Sequence, residues 1–266
     1  MSDHITSYRE QGYWVEPDVL SADEVAEFKN EILAILRGER GDILELAEDA
    51  AELDDDTLLR RHIGIYNSHK VSELVDAHMR HPYIIRLLQD FVSPNVKCLQ
   101  SMVFMKPPGK PGQAWHQDEV PLPTRDRSLI GVWIAIDDAD AENGGLWVYP
   151  GSHRAGVLYE RVPHDDPRYD GVPQSHRMPY EEDEAVPVEV KAGSALFFNG
   201  YLLHRSLNNS TEDRFRRALV YHYMSAESFF PQSGNEDLRE IIMVCGEDPY
   251  EWKGVTNNCK PAIRRG

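Results

Sequence analysis

The segment Trp115-His116-Gln117-Asp118-Glu119 sets an imidazole and a carboxylate two residues apart. In an extended strand, residues i and i+2 project from the same face, so His116 and Asp118 would aim at one point while Gln117 turns away. Near neutral pH the imidazole is neutral and the carboxylate ionised, the forms that ligate metals. A third donor is available in Tyr201-Leu202-Leu203-His204-Arg205-Ser206. Two histidines and a carboxylate on one face of a metal, with open positions opposite, is the arrangement of non-haem Fe(II) oxygenases. His-x-Asp alone recurs by chance, and the chain holds eleven histidines. The pattern therefore gains weight only from what accompanies it.

Twelve residues beyond His204 stands Arg216, on a strand-like run from Arg216 to Met224. Alternation puts Arg216, Ala218, Val220 and His222 on one face, and Arg217, Leu219 and Tyr221 on the other. A guanidinium turned into an apolar interior is costly unless an anion meets it, and its fork suits a carboxylate. Ser206, two residues past His204, shares that histidine's face and could add a hydroxyl to the same anion. If the register slips by one, Arg217 points inward instead, and an internal acid could also pair with Arg216.

These side chains need strands to hold them, and the pattern supplies strands from Asn95 onward. Val96–Met105 is apolar on both faces. Ser128–Asp137 alternates Ile130, Val132, Ile134 and Ile136 against Gly131, Trp133 and Ala135. Asn143-Gly144-Gly145 signals a turn from which Leu146–Tyr149 pairs back. Val188–Val190, Ala195–Phe198 and Arg216–Met224 follow. Before them lies helical support: a strand at Gly12–Val15, a capping box at Ser21–Glu24, and an amphipathic helix carrying Val25, Phe28, Ile32, Ile35 and Leu36. A weak acidic stripe from Glu39 to Asp56 and a helix opened by Pro82 complete it. The expected fold is mainly β with flanking helices around a double-sheet jelly roll. We expect one domain over 1–266, with helical support at about 20–93, the jelly roll at about 95–225, and a tail at 231–266 holding one helix near Asp237–Val244.

Composition excludes several partners. With 45 acidic against 28 basic residues, the net charge of −17 repels nucleic-acid phosphates and anionic membranes. No apolar run approaches a membrane span, and the N-terminus does not read as a signal peptide. Cys98, Cys245 and Cys259 are odd in number and scattered, as in reduced cytoplasmic proteins.

His116-Gln117-Asp118, the strand carrying Trp133, the run Glu142–His153, His204, Ser206 and Phe215-Arg216-Arg217-Ala218 together resemble the phytanoyl-CoA dioxygenase family. The likeness extends from Gly12 to about Ser225. It implies a double-stranded β-helix core (a cupin-like jelly roll) and an oxygenase dependent on Fe(II), with 2-oxoglutarate and O2 as co-substrates. It makes His116, Asp118 and His204 the catalytic iron ligands, Arg216 the anchor for the distal carboxylate of 2-oxoglutarate with Ser206 assisting, and Trp133 and Met102 walls of the co-substrate pocket. Arg216 falls one residue further from His204 than is usual in the family, so Arg214 and Arg217 stay in contention. A basic residue that some relatives bring to the co-substrate has no clear counterpart near Ile63–Tyr66. Halogenating relatives replace the carboxylate ligand by a small residue; Asp118 therefore points to hydroxylation, or a related oxidation, of a small-molecule C–H bond. With no basic cluster visible along the chain, the sequence gives no support for binding coenzyme A.

Other residues read more plainly. His153 could be a ligand but better suits a turn, His222 suits core packing, and Gln100 and Tyr149 could line the pocket although core packing is the default for such residues. The Pro-rich stretch 155–187, with Arg161, Tyr169, His176 and Tyr180, reads equally as a lid or a surface loop. Arg125 and Arg127 could meet an acidic substrate, though such arginines are usually solvated. Two rival functions remain at this level: a cupin-like metalloenzyme that does not use 2-oxoglutarate, which would have no use for a buried Arg216, and a catalytically silent small-molecule-binding jelly roll.

Overall fold

Alternation along two central strands decides the architecture. A computed structural model of the chain describes residues 3–228, 241–253 and 259–265. The helices are α1 (Asp3–Gln11), α2 (Ala22–Leu36), α3 (Asp55–Arg60), α4 (Glu73–His78) and α5 (Pro82–Phe91). The strands are β1 (Tyr13–Glu16), β2 (His62–Tyr66), β3 (Val96–Lys106), β4 (Gln113–His116), β5 (Ile130–Ala135), β6 (Leu146–Val148), β7 (Arg161–Val162), β8 (Gln174–Ser175), β9 (Val186–Val188), β10 (Ala195–Asn199), β11 (His204–Ser206), β12 (Arg216–Ser225), β13 (Ile242–Cys245) and β14 (Ala262–Arg265). A large sheet runs β1-β10-β5-β12-β3-β2-β14, with β13 also on β3. A smaller sheet runs β4-β11-β6-β9, and β7 and β8 form a separate ribbon. The fold is a jelly roll, mainly β and antiparallel, with helices on one side.

The two faces of the large sheet have different partners. Ile130, Val132 and Ile134 of β5 and Leu219, Tyr221 and Tyr223 of β12 pack with Phe28, Ile32 and Ile35 of α2 and Ile84, Leu87 and Leu88 of α5. Full burial of each such aliphatic side chain contributes about 1.5–3 kcal/mol. Trp133, Ala135, Ala218, Val220 and Met102 face the other way, onto Val148 and Val188 of the small sheet. The helix α2 starts where its capping box does, with Ser21 and Glu24 closing on each other's backbone N–H groups. No helix among the described residues is long and apolar enough to cross a membrane.

Several expectations are corrected. The strand carrying His116 ends there; Asp118 instead opens a turn in which the Leu122 N–H donates to the Asp118 carbonyl at 3.0 Å. Leu146–Val148 does not pair back on β5. It crosses to the small sheet between β11 and β9, because the turn at Asn143 carries the chain from one layer to the other. The next strand covers Val186–Val188 rather than Val188–Val190. Within the acidic stretch Glu39–Asp56, only Ala50–Glu52 and the start of α3 are helical. The expected helix at Asp237–Val244 lies outside the described residues up to 240, and its remainder belongs to β13 on the edge of β3. The tail also returns as β14 to extend the large sheet beyond β2.

Candidate metal centre

His116 and His204 are cross-strand partners in the small sheet, so β-pairing alone brings their rings together, with centroids 4.1 Å apart. Both are buried, as is Asp118. One donor atom from each of the three lies within 4.8 Å of the others. The His116 Nδ1–H donates to the Ala114 carbonyl at 2.8 Å, and the His204 Nδ1–H donates to the Leu202 carbonyl at 2.9 Å. A carbonyl can only accept, so each neutral ring keeps its lone pair on Nε2. Both Nε2 atoms sit 3.7 Å from Asp118 Oδ1, too far for a hydrogen bond. Three electron-pair donors thus converge with no proton between them, which suits a divalent cation and is otherwise unfavourable.

The carboxylate is steered by a fourth residue. Gln100 Nε2 donates to His222 Nδ1 at 3.1 Å, so the His222 Nε2–H donates to Asp118 Oδ2 at 2.9 Å. That leaves Oδ1 to face the two imidazoles. Burial, the largest influence, pushes the Asp118 carboxyl up, but His204, His222 and His116 outweigh it and hold it well below the usual carboxylate range. Burial and then His204 push His116 down to about 3, with Arg161 adding to them and Asp118 opposing. Neutral imidazole and ionised carboxylate are the forms a metal requires. The turned-away Gln117 is also busy: its amide donates to the carbonyls of Val157 and Tyr201, at 2.9 and 2.8 Å, and its oxygen accepts from the Tyr159 N–H at 2.9 Å.

The triad opens into a cavity of about 340 Å³ between the sheets. Met102, Trp133, Ser206 and Arg216, the expected co-substrate residues, all line it. Arg216 is buried at 5% exposure; its guanidinium lies 5.6 Å from the Trp133 ring centre and its Nε has no partner among the described residues. Burial pushes Arg216 down to about 10, against a weak opposing pull from Asp137. The competing arginines are already engaged. Arg217 forms a two-pronged pair with Asp137 at 2.7 and 2.8 Å, and Arg214 binds Asp140 at 2.5 Å and Glu142 at 2.9 Å. Gly131 makes room beside the triad: a Cβ there would meet the Phe198 ring at 2.3 Å, and that ring stands 4.8 Å from His204.

Sequence reasoning missed four participants. Lys106 stands opposite Arg216 across the β3–β12 ladder, and its buried ammonium donates to Ser206 Oγ at 2.8 Å and the Leu207 carbonyl at 2.6 Å. Burial, then the Arg216 charge, holds its pKa well below the ordinary lysine value, with Asp170 opposing. Alternation from Met102 through Phe104 could have revealed it. His222, read as a core residue, and Gln100, read as core or pocket wall, orient Asp118, and Gln100 does line the cavity; His222 shares the Arg216 face, a usable signal. Arg264 reaches the cavity from the tail, and nothing in its local pattern announces that.

Other expectations divide. His153 is in a 3-10 turn with Nε2 on the Arg9 carbonyl at 3.1 Å, and Tyr149 stacks between Trp115 and Tyr180. Arg127 lies over the Tyr201 ring and is not among the residues that line the cavity. The stretch 155–187 is pinned where Glu182 pairs with Arg205, whose guanidinium lies over Trp115 and Trp147, and Arg161 from this stretch lines the cavity.

The family described as phytanoyl-CoA dioxygenase (PhyH) matches residues 8–218. The peroxisomal phytanoyl-CoA dioxygenase of Mus musculus is 29% identical over 262 residues, covering 93% of this chain and 76% of that protein. The ectoine dioxygenase of Nocardia farcinica is 29% identical over 234 residues, covering 79% and 73% respectively. The phytanoyl-CoA dioxygenase domain-containing protein 1 of Danio rerio reaches 37% identity, but over only 50% of this chain and 47% of its own. Among solved structures, the non-heme monooxygenase ThoJ superposes with a TM-score of 0.73 at 20% identity, covering 99% of this chain and 88% of its own. The epimerase SnoN, in complex with Fe3+, alpha ketoglutarate and nogalamycin RO, gives 0.66 at 23% identity, covering 92% and 95%. At these identities the structural likeness shows the fold.

Proposed function

The chain belongs to the phytanoyl-CoA dioxygenase (PhyH) family, and on that premise we propose that it is an Fe(II)- and 2-oxoglutarate-dependent dioxygenase in which His116, Asp118 and His204 hold the iron. The observation that carries this reading is the facing of three unprotonated donors within one cavity that also contains an unpaired buried guanidinium. When bound, iron(II) and 2-oxoglutarate supply oxygen activation: a substrate C–H becomes C–OH, the other oxygen atom enters succinate, and CO2 leaves.

The residues of this chain do the positioning. The Ala114 and Leu202 carbonyls fix both imidazole tautomers, and His222 holds one Asp118 oxygen so that the other is free to ligate. Arg216 takes the distal carboxylate of 2-oxoglutarate, with Ser206 and the Lys106 ammonium beside it and Trp133 and Met102 as walls. Burial of the triad excludes water from the reacting centre. A cupin-like metalloenzyme without 2-oxoglutarate would leave Arg216 without an anion. The substrate is a small molecule; the acidic chain disfavours nucleic acid and anionic membranes as partners, and the scattered thiols fit a cytoplasmic setting. We read residues 1–266 as one catalytic domain, since both sheets contribute to one cavity.

A screen of small molecules with iron-loaded protein, O2 and 2-oxoglutarate tests the reading. Succinate should form in step with an oxidised product, and Asp118→Ala should form none. Product formation without consumption of 2-oxoglutarate would overturn it in favour of the cupin-like rival.

A further inference from the structure

The cavity is basic inside a strongly acidic protein. Five cationic side chains line it, Lys106, Lys110, Arg161, Arg216 and Arg264, against two carboxylates, Asp118 and Asp170. The whole chain carries −17. The cationic residues are far apart in sequence, so no basic run announces them; the fold assembles the cluster. Iron(II) and the 2-oxoglutarate dianion cancel each other's charge, and 2-oxoglutarate is accounted for by Arg216 and its neighbours. Among the described residues the remaining surplus meets only Asp170. Asp170 sits 3.7 Å from Arg264 in a loose pair, and no carboxylate among the described residues pairs with Arg161 or Lys110.

Arg161 is the best placed of these. It lies on β7, which pairs with β8, and β8 packs against β4, the strand that ends in His116. Its Nε donates to the Pro173 carbonyl at 3.0 Å, which fixes the plane of the guanidinium and leaves both terminal amino groups without a protein acceptor among the described residues. A fork held from behind and open in front is the geometry that takes a carboxylate with two parallel hydrogen bonds. Around it the cavity offers apolar wall from Val172, Leu122 and Leu146 for a carbon skeleton. At about 340 Å³ it is near the small end of ligand cavities, and 2-oxoglutarate takes part of that space.

We propose that the primary substrate is a small carboxylic acid, free rather than esterified, whose carboxylate is gripped by the Arg161 guanidinium so that a neighbouring C–H lies beside the His116 side of the metal centre. This rests on the functional reading above and goes further by naming the substrate class and the residue that selects it. Neutral amides and thioesters of the same acid are discriminated against, since they leave Arg161 unpaired and lack the second acceptor oxygen.

The test uses the full chain, loaded anaerobically with Fe(II) and 2-oxoglutarate. Binding is followed by calorimetry against a panel of aliphatic, aromatic and 2-amino carboxylic acids, each matched with its primary amide and its neutral S-methyl thioester. At least one acid should bind with its amide and thioester weaker by about 30-fold or more. Arg161→Gln should lose that preference while still taking up 2-oxoglutarate, and Arg161→Lys should retain part of it. The proposal is overturned if acid and amide bind alike, if a thioester binds tighter than its acid, if Arg161→Gln keeps wild-type affinity for the acid, or if 2-oxoglutarate binds but no acid does. Failure of 2-oxoglutarate itself to bind wild-type protein would instead refute the functional reading, and this inference with it.

Discussion

Replacing Arg216 by Met should move stability and co-substrate affinity in opposite directions. The guanidinium is buried, lies over Trp133, and has no carboxylate partner among the described residues, so in the protein alone it is a cation withdrawn from water. Burial lowers its pKa from the ordinary 12.5 to about 10. At 1.36 kcal/mol for each tenfold change in proton affinity, that fall corresponds to roughly 3 kcal/mol of unfavourable charge burial. Methionine fills similar space without the charge, so Arg216→Met should unfold at higher denaturant concentration than wild type when no 2-oxoglutarate is present. The same change removes the anchor for the distal carboxylate, and loss of one partner from a buried charge pair costs about 2–5 kcal/mol. Affinity for 2-oxoglutarate should therefore fall by roughly 30- to 5000-fold. Arg217→Met is the control: its two-pronged pair with Asp137 is structural, so it should destabilise the fold and leave 2-oxoglutarate affinity within a few-fold. Denaturant titration and calorimetry report the two quantities separately. If Arg216→Met binds 2-oxoglutarate as wild type does, or Arg217→Met is the variant that loses it, the assigned register of the anchor is wrong.

Asp118→Ala should lower Fe(II) affinity more than His222→Ala, because the first removes a ligand and the second only the group that orients it; the latter should cost roughly 10- to 100-fold in equilibrium metal titration. Equal affinities across both variants and wild type would exclude the triad as the metal site. The buried His78, pushed down to about 3 by burial and then by His81, should make the fold acid-sensitive. A histidine with a depressed folded pKa contributes stability that is present above its unfolded value of about 6.5 and lost as pH falls toward 3. Denaturation between these limits should show a slope that His78→Phe reduces by about 1.4 kcal/mol per pH step; an unchanged slope would mean the imidazole titrates normally. Gly131→Ala should displace the Phe198 ring toward His204 and weaken both stability and Fe(II) binding, measurable by thermal unfolding with and without metal; an unaffected variant would show that the ring can yield elsewhere.

The strands and helices that form the core could be read directly. Ile130–Ile136 and Arg216–Met224 alternate cleanly, and that alternation correctly separates the helix-facing Leu219 and Tyr221 from the cavity-facing Arg216 and Val220. The ligand pair was legible for a partly mistaken reason: His116 and Asp118 do converge, but through a turn that follows the strand rather than through strand alternation. Layer changes were not legible, because a Gly-rich turn such as Asn143-Gly144-Gly145 can close a hairpin or carry the chain to the opposite sheet, and only the partners of β6 decide which. The supporting residues escaped for a related reason. His222 is an ordinary strand histidine until its contact with Asp118 is known, and the basic cavity has no counterpart in local charge patterning because Lys106, Arg161 and Arg264 come from three separate regions.

The central claim is that iron(II), 2-oxoglutarate and this triad meet in one cavity. Anaerobic addition of 2-oxoglutarate to the Fe(II)-loaded protein should produce a weak visible metal-to-ligand charge-transfer band that saturates with co-substrate, is missing in Asp118→Ala and requires far more 2-oxoglutarate in Arg216→Met. A wild-type protein that binds Fe(II) at the triad yet develops no such band with 2-oxoglutarate would contradict it.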